Sequence, residues 1–358
     1  TVSPAATSRL KPRSSGGLWE PEFAISAGGK LVCFYSDETV AGHSQVLSLV
    51  ESSDGVTWSA AKDVVVSPDA NDRPGMANVI RLPNGHYVMS FEMCGPLNCA
   101  AYLKSSTDGI NWGSAADHGS AILASDGTTF WHTPTMAWAP VPGSANGQLV
   151  LQGQILVKNG IVQPGNGKTV FINSHGDGTG DWTPFDAPTA VSMPSGTAGN
   201  YCENYSTALL PLDNGHKLLS VATDFDGTVC KAYYNVSALG GVAVSGGNIA
   251  VTKGSQAVGD FNLRTAGAPA GAYNVTVTAT GVPADLTLSD STVALTPSGT
   301  ATVHVTVKPT ALAWLENAGI GFGLLAVTGL FVNALAGGKA ALTALFLSAL
   351  TLLGGCGG

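Results

Sequence analysis

Charge is scarce in this chain. Of its 358 residues only 11% are charged, with 16 basic against 24 acidic side chains and a net charge of −8. No run of Lys or Arg occurs, which excludes binding driven by nucleic-acid phosphates and disfavours any polyanionic ligand. A neutral ligand suits that balance better. The seven histidines are scattered without zinc-ligand spacing, and neither a Gly-x-Ser-x-Gly elbow nor a phosphate loop is present. Neither a metal nor a cofactor is therefore expected. The helix formers Glu, Lys and Arg give way to Gly, Ser, Thr, Ala and Asn, with 46 Gly, so the mix predicts a turn-rich β protein. No signal peptide is legible, and the start "TVSPAATSRLKP" reads as a mature or trimmed N-terminus. A secreted or externally anchored protein is the expectation.

What the chain does have is repetition. "SSDGVTW" (52–58) returns as "STDGINW" (106–112), and "SHGDGTGDW" (174–182) is a looser third copy. A second element recurs four times, an Asn-Gly or Gly-Gly turn followed by an apolar strand: "GGKLVCFYSD", "NGHYVMSFE", "NGQLVLQGQ" and "NGHKLLSVATD". Its glycines, Gly29, Gly85, Gly147 and Gly215, are spaced by 56, 62 and 68 residues. Asn-Gly between apolar runs signals a hairpin whose turn residues both take φ > 0. Each unit continues into a third strand ("SQVLSLV", "AAYLKSS", "KTVFINS", "TVCKAYYNVS"), and in the first two units the Asp-Gly-Trp turn leads to a fourth, whereas the fourth unit has no copy of that turn. Four strands at a period near sixty describe propeller blades. The repeated Asp is then a structural staple: it accepts N–H bonds within its turn while Trp packs beneath.

These turns, with "LWEPEF", "CFYSDE", "RPGMANVIRLPNGHYVMSFEMCG" and "CENYSTALLPLDNG", resemble the Asp-box, sialidase-like propellers and, more narrowly, glycoside hydrolase family 93. The resemblance covers roughly residues 15–236. It implies a six-bladed, secreted exo-arabinanase acting with retention through carboxylates. Six blades at this period need ~370 residues, and four repeats are legible, so an incomplete ring or blades too diverged to read is implied. Sialidase activity itself is not expected, because the repeats hold only Arg73 and Arg81 where three arginines are needed for a sugar carboxylate.

Beyond the propeller (1–239), residues 246–309 alternate apolar and Thr/Ser residues, as half-buried strands do, and are expected to form a small Ig-like β-sandwich. Residues 312–354 are nearly uncharged and read as a hydrophobic helical tail, a membrane anchor or helical hairpin. A cleaved lipid-anchor signal or a buried helix pair are the alternatives. Of six cysteines, Cys94 and Cys99 are close enough to close a small loop, and Cys202 and Cys230 flank one repeat. Free buried thiols remain the alternative. Sequons stand at Asn204, Asn235 and Asn274.

Innermost strands of a blade begin at the face of the central pocket and second strands return there, so counting back from each hairpin Gly finds the rim. It places Glu20, Arg73, His132 and Glu203 there, joined by Asp37, Glu92, Gln154 and Asp224 from second strands. Only seven Glu occur in the chain, and three reach this rim. Glycoside hydrolysis needs one carboxylic acid to protonate the leaving oxygen and a second carboxylate to attack or to activate water. Glu203 and Glu92 are the expected catalytic pair. Glu20, Arg73, His132, Trp19, Trp131 and Tyr201 are expected to contact substrate, the aromatics by stacking on sugar faces. The rival reading is a non-catalytic propeller that binds glycan or protein at a membrane surface.

Overall fold

The computed structural model describes residues 16–141, 144–192, 201–246, 256–266, 271–280, 284–290, 292–295, 300–309, 325–334 and 348–350. The chain divides into two compact units, 1–239 and 240–358. Among the described residues it is all-β, with one short 3-10 turn at Gly95–Leu97.

The first sheet runs β1 (Leu18–Ile25), β2 (Leu31–Asp37), β3 (Val46–Ser52) and β4 (Lys62–Val65) in sequential antiparallel order. The second is built on β5 (Arg73–Arg81), β6 (Tyr87–Cys94) and β7 (Ala100–Ser106), with β8 (Ser120–Ala121) and β9 (Thr129–Trp131) beyond. The third contains β10 (Thr135–Val141) and β11 (Ser144–Gln152). It then skips β12 (Ile155–Lys158) and β13 (Ile161–Val162), and continues through β14 (Thr169–Asn173) and β15 (Trp182–Asp186). The skipped hairpin accounts for the longer third repeat: β12 pairs with β9 and so widens the second sheet. The fourth sheet has three strands, β16 (Ala208–Leu212), β17 (Lys217–Phe225) and β18 (Cys230–Ala238).

The four innermost strands are neighbours in chain order, β5 against β1, β10 against β5 and β16 against β10. Side chains stitch each to the next. Glu22 accepts from Val79 N (3.0 Å) and Asn78 Nδ2 (3.1 Å), Asn78 Oδ1 accepts from Met136 N (2.8 Å), and Thr135 Oγ1 donates to Thr207 O (2.5 Å). Burial holds the Glu22 carboxyl above its usual range although three hydrogen bonds oppose it. Apolar side chains fill the space between sheets: Phe34, Leu47 and Leu49 meet Val79, Met89 and Phe91, while Val88, Ala101 and Phe130 meet Leu149, Leu151 and Phe171. Antiparallel meanders that run outward from adjoining inner strands are consistent with a β-propeller.

The repeated turns work as staples. Asp54 Oδ1 accepts from Val56 N (2.9 Å) and Thr57 N (2.6 Å), and Asp108 Oδ1 from Ile110 N (2.8 Å) and Asn111 N (2.7 Å). In each, the Ser two residues earlier accepts from the Asp and Gly N–H groups. Trp112 is buried edge-on against Phe34 of the first sheet, with ring centroids 5.7 Å apart. The looser third copy uses Asn173 Oδ1, which accepts from Gly176 N and Gly178 N. The hairpins differ from expectation in one respect. Gly29, Gly85, Gly147 and Gly215 all have positive φ, but of the Asn residues before them only Asn214 does. At the second hairpin Gly85 N donates to Leu82 O and Leu82 N to His86 O, so Gly supplies the left-handed residue at the end of a longer turn.

Among the described residues the second unit holds two four-stranded sheets. One is formed by β19 (Gly241–Gly246), β20 (Ala257–Ala266), β24 (Thr300–Pro309) and β22 (Ala284–Leu288). The other joins β23 (Thr292–Leu295), β21 (Gly271–Thr280), β25 (Leu325–Ala334) and β26 (Ser348–Leu350). Their orders are not sequential, so the blade pattern stops at 239. Strands β25 and β26 correct the expected helical tail. Val327, Thr328 and Val332 are β-branched residues suited to strands, and β25 pairs with β21 along most of its length. An uncharged run is compatible with helix or strand, and here a partner strand with open hydrogen-bonding groups decides. No helix among the described residues is long and apolar enough to cross a membrane, which says nothing of a β-barrel. The rest of 312–354 lies outside the described residues.

Candidate functional site

The strand ends opposite the hairpins carry an unusual backbone. Glu20, Met76, Cys99, His132, Thr133, Asn204 and Ser206 all have φ between +45° and +63°. None is glycine, and for the β-branched Thr133 such a conformation is a true outlier. Strained residues persist only where surrounding contacts over-determine them, and they concentrate at functional sites. Here the contacts are visible.

Glu20 Oε2 accepts from Ser36 Oγ (2.6 Å) and from Met76 N of the second sheet (2.9 Å). A Cβ on Gly75 would come within 3.1 Å of that carboxylate and closer still to Ser36 and Gln45, so glycine is required for the approach. Glu92 is buried. Its Oε2 accepts from Thr133 N (2.8 Å) and lies 3.5 Å from His132 Nδ1. Thr133 Oγ1 in turn accepts from Ser206 N (3.1 Å). A single threonine thus ties the second-sheet carboxylate to the loop 201–207 that enters the fourth sheet.

That loop carries Glu203, which is buried (4% exposed). Burial first, then the negative charge of Asp224, holds its carboxyl above the usual range. Its carbonyl accepts from Gln154 Nε2 (3.0 Å). Asn204 is the loop's anchor. Its Oδ1 accepts from Gln152 Nε2 (3.2 Å) and Thr207 Oγ1 (2.7 Å), and its Nδ2 donates to Gly153 O (2.9 Å) and Gln154 O (3.1 Å). All four side-chain bonds are made. A disulfide from Cys202 to Cys230 holds the loop from its other side. The sequon at Asn204 is therefore closed to modification in the folded chain, since its amide nitrogen is buried and bonded.

Tyr205, two residues after Glu203, joins the cluster. Its hydroxyl lies 3.5 Å from Met76 Sδ. Burial, followed by the charges of Glu92 and Glu20 and then Tyr201, pushes that hydroxyl up to about 12. Both carboxylates therefore sit within electrostatic reach of one phenol. Tyr201, 78% exposed, meets the Tyr205 ring edge-on at 5.5 Å.

Other expected contacts fall to one side. Arg73 donates to Glu38 Oε1 (2.5 Å), Gln45 Oε1 (2.8 Å) and Ser44 Oγ (3.0 Å). Trp19 Nε1 donates to the other oxygen of Glu38 (2.9 Å). Arg73 first, then Trp19, holds the Glu38 carboxyl below its usual range. Glu38 was missed in the sequence, where nothing but its place beside Asp37 marked it. Gln45 connects this group to the Glu20 cluster through Pro74 O and its approach to Gly75. Trp131 ends β9, paired with Ala100 and Ile155. Asp37 is turned into its own loop, accepting from Thr39 N and Oγ1. Two surface depressions, of about 410 and 350 Å³, lie at the hairpin and repeated-turn ends, beside Arg81 and Trp138 and beside Asp54 and Trp58. They are remote along the strands from the carboxylates.

No protein-family model matches the chain, and no curated protein matches it. Solved structures do. An α-L-arabinanase of Penicillium chrysogenum, complexed with arabinobiose, is 26% identical with a TM-score of 0.51, over 64% of this chain and 60% of its own. The family 93 α-L-arabinofuranosidase of Fusarium graminearum, also with arabinobiose, is 26% identical with a TM-score of 0.50, over 62% and 58%. The chain thus spans about three fifths of the length of these relatives. The chain is similar to the sialidase-like propeller enzymes of glycoside hydrolase family 93.

Proposed function

We propose that this protein is a glycoside hydrolase acting on a neutral, arabinan-type glycan, with Glu203 as general acid and Glu92 as its carboxylate partner. The observation that carries the reading is the linkage through Thr133. The loop bearing Glu203 and the carboxylate of Glu92 are fixed to the same residue, by Ser206 N on its hydroxyl and Glu92 Oε2 on its N–H. Burial and Asp224 favour the protonated form of Glu203, which is what protonating a leaving oxygen requires. Glu92, held by a backbone N–H, is placed to act as a carboxylate. Glu20 and Tyr205 present an acceptor and a donor between them for sugar hydroxyls, and Tyr201 and Trp131 offer aromatic faces. The arabinobiose held by the two relatives supports arabinan as substrate class.

A second reading, glycan binding without hydrolysis, is favoured by the sheet count. The described residues of 1–239 show four blade-like sheets, the last with three strands, where the resemblance implies six. One experiment separates the two. The full chain is incubated with linear arabino-oligosaccharides and the products are resolved by chromatography. Release of arabinose or arabinobiose supports the enzyme. Saturable binding without any product refutes it in favour of the binding module.

A further inference from the structure

The histidines show no metal-ligand spacing along the chain, but the fold gathers four candidate ligands beside the proposed site. Sγ of Cys94 and Cys99, a ring nitrogen of His132 and a carboxylate oxygen of Glu92 all lie within 4.8 Å of one another. In this structure the two sulfurs form a disulfide. The backbone holds each ligand in place. Glu92 and Cys94 point to the same side of β6, two residues apart, with Glu92 Oε1 3.2 Å from Cys94 Sγ. The 3-10 turn Gly95–Leu97 and the left-handed pair Asn98 and Cys99 fold the chain back. His132 N donates to Cys99 O (2.8 Å), and Thr133 N orients Glu92.

We propose that opening the Cys94–Cys99 disulfide converts this cluster into a binding site for a thiophilic divalent cation of the zinc type, with Cys94, Cys99, His132 and Glu92 as its four ligands. A dithiol reductant breaks the S–S bond. Two electrons and two protons pass to the sulfurs, and the dithiol closes to its own disulfide. The cation then displaces both thiol protons and takes two thiolates, an imidazole nitrogen and a carboxylate oxygen, a donor set that selects zinc-like ions over magnesium or calcium. Metal–ligand distances of about 2.0–2.3 Å in a tetrahedron put ligand atoms about 3.3–3.8 Å apart, so no pair within the cluster closes by more than about 1.5 Å, while the two sulfurs part from bonding distance to roughly 3.8 Å. The site is conditional: closed by oxidation, formed by reduction. It does not rest on the glycosidase reading, although an occupied site takes Glu92 out of any reaction.

The test uses the full chain, Co²⁺ as probe and a phosphine reductant, which ends as its oxide and leaves the metal free. The reduced protein is expected to show thiolate-to-cobalt charge-transfer absorption saturating at one Co²⁺ per chain and abolished by Zn²⁺, and the oxidised protein none. Cys94→Ser is expected to lose the band. His132→Ala, which leaves both thiols, should weaken binding by more than the 10–100-fold typical of losing an outer-shell partner. Should Cys94→Ser not fold, the oxidised-against-reduced comparison and His132→Ala decide alone. Absence of the band in the reduced protein overturns the proposal. So does a band undiminished in either variant, which would place the metal on other cysteines.

Discussion

Replacing Asn204 probes the loop on which the functional reading depends. Its side chain makes four hydrogen bonds, all buried, to Gln152, Thr207, Gly153 and Gln154. A typical net contribution of about 1 kcal/mol per bond gives ~3–4 kcal/mol for Asn204→Ala, a large share of a domain's total stability. For a unit of this size, about 2–4 °C per kcal/mol places the fall in Tm on the order of 10 °C. Asn204→Asp is the sharper test, because it keeps the shape and the tolerance of positive φ. It replaces the Nδ2 donor by an oxygen facing the carbonyls of Gly153 and Gln154. The hydrogen-bond account therefore predicts that Asp is at least as damaging as Ala near neutral pH. Its deficit should shrink in acid, where a protonated carboxyl recovers one donor. Thermal unfolding followed by circular dichroism, with arabinan hydrolysis measured in parallel, reads both stability and loop position. An Asn204→Asp protein that melts within about 2 °C of the parent at pH 7 refutes the reasoning, since backbone shape alone would then suffice.

Three further outcomes follow from the same contacts. Lys104 is buried and donates to Val64 O (3.1 Å), Ser114 O (2.7 Å) and Asp117 O (2.6 Å), so Lys104→Met should lower the urea midpoint by the equivalent of about 2–4 kcal/mol; an unchanged midpoint contradicts the clip. Asp54 is held at about 2 by the N–H groups of Thr57 and Val56; at Asp108 burial works the other way and the N–H groups of Asn111 and Ile110 overcome it, again to about 2. With an unfolded value near ~3.9, their stabilisation is present above that pH and lost as pH falls towards 2; Asp54→Asn with Asp108→Asn should flatten the acid limb of the stability curve. Asp224 raises the Glu203 carboxyl, so Asp224→Asn should move the basic limb of kcat/KM to lower pH, and a shift upward would remove Glu203 from the acid role.

The sheets were legible because their signals are local. Alternation, the hairpin glycines and the Asp-Gly-Trp turns each act within ten residues, and β2, β6, β11 and β17 stand where those signals put them. The β12–β13 hairpin was not, because its pairing with β9 is chosen by an open sheet edge that no local pattern reports. The tail failed for a related reason: an uncharged run does not state its period, and β21 supplied a partner. At the site, counting back from the glycines points to Glu20, His132 and Glu203, and the end of a second strand to Glu92, because each hairpin fixes which strand ends share a side. It does not reach Thr133 or Asn204, whose roles follow from left-handed backbone that tertiary contacts impose. For Arg73 position is the sole signal in the sequence, and the fold adds a pairing with Glu38. Charge pairing across 35 residues leaves no mark in sequence.

If Glu203 donates a proton to the departing sugar oxygen, hydrolysis by a variant without that proton depends on the leaving group. Hydrolysis by Glu203→Gln is measured on an arabino-oligosaccharide and on an aryl arabinoside whose phenolate departs unaided. The account predicts a loss of about 10²–10⁴-fold on the oligosaccharide, near-parental cleavage of the aryl substrate and an unchanged Tm. Equal losses on both substrates, or none on either, would contradict it.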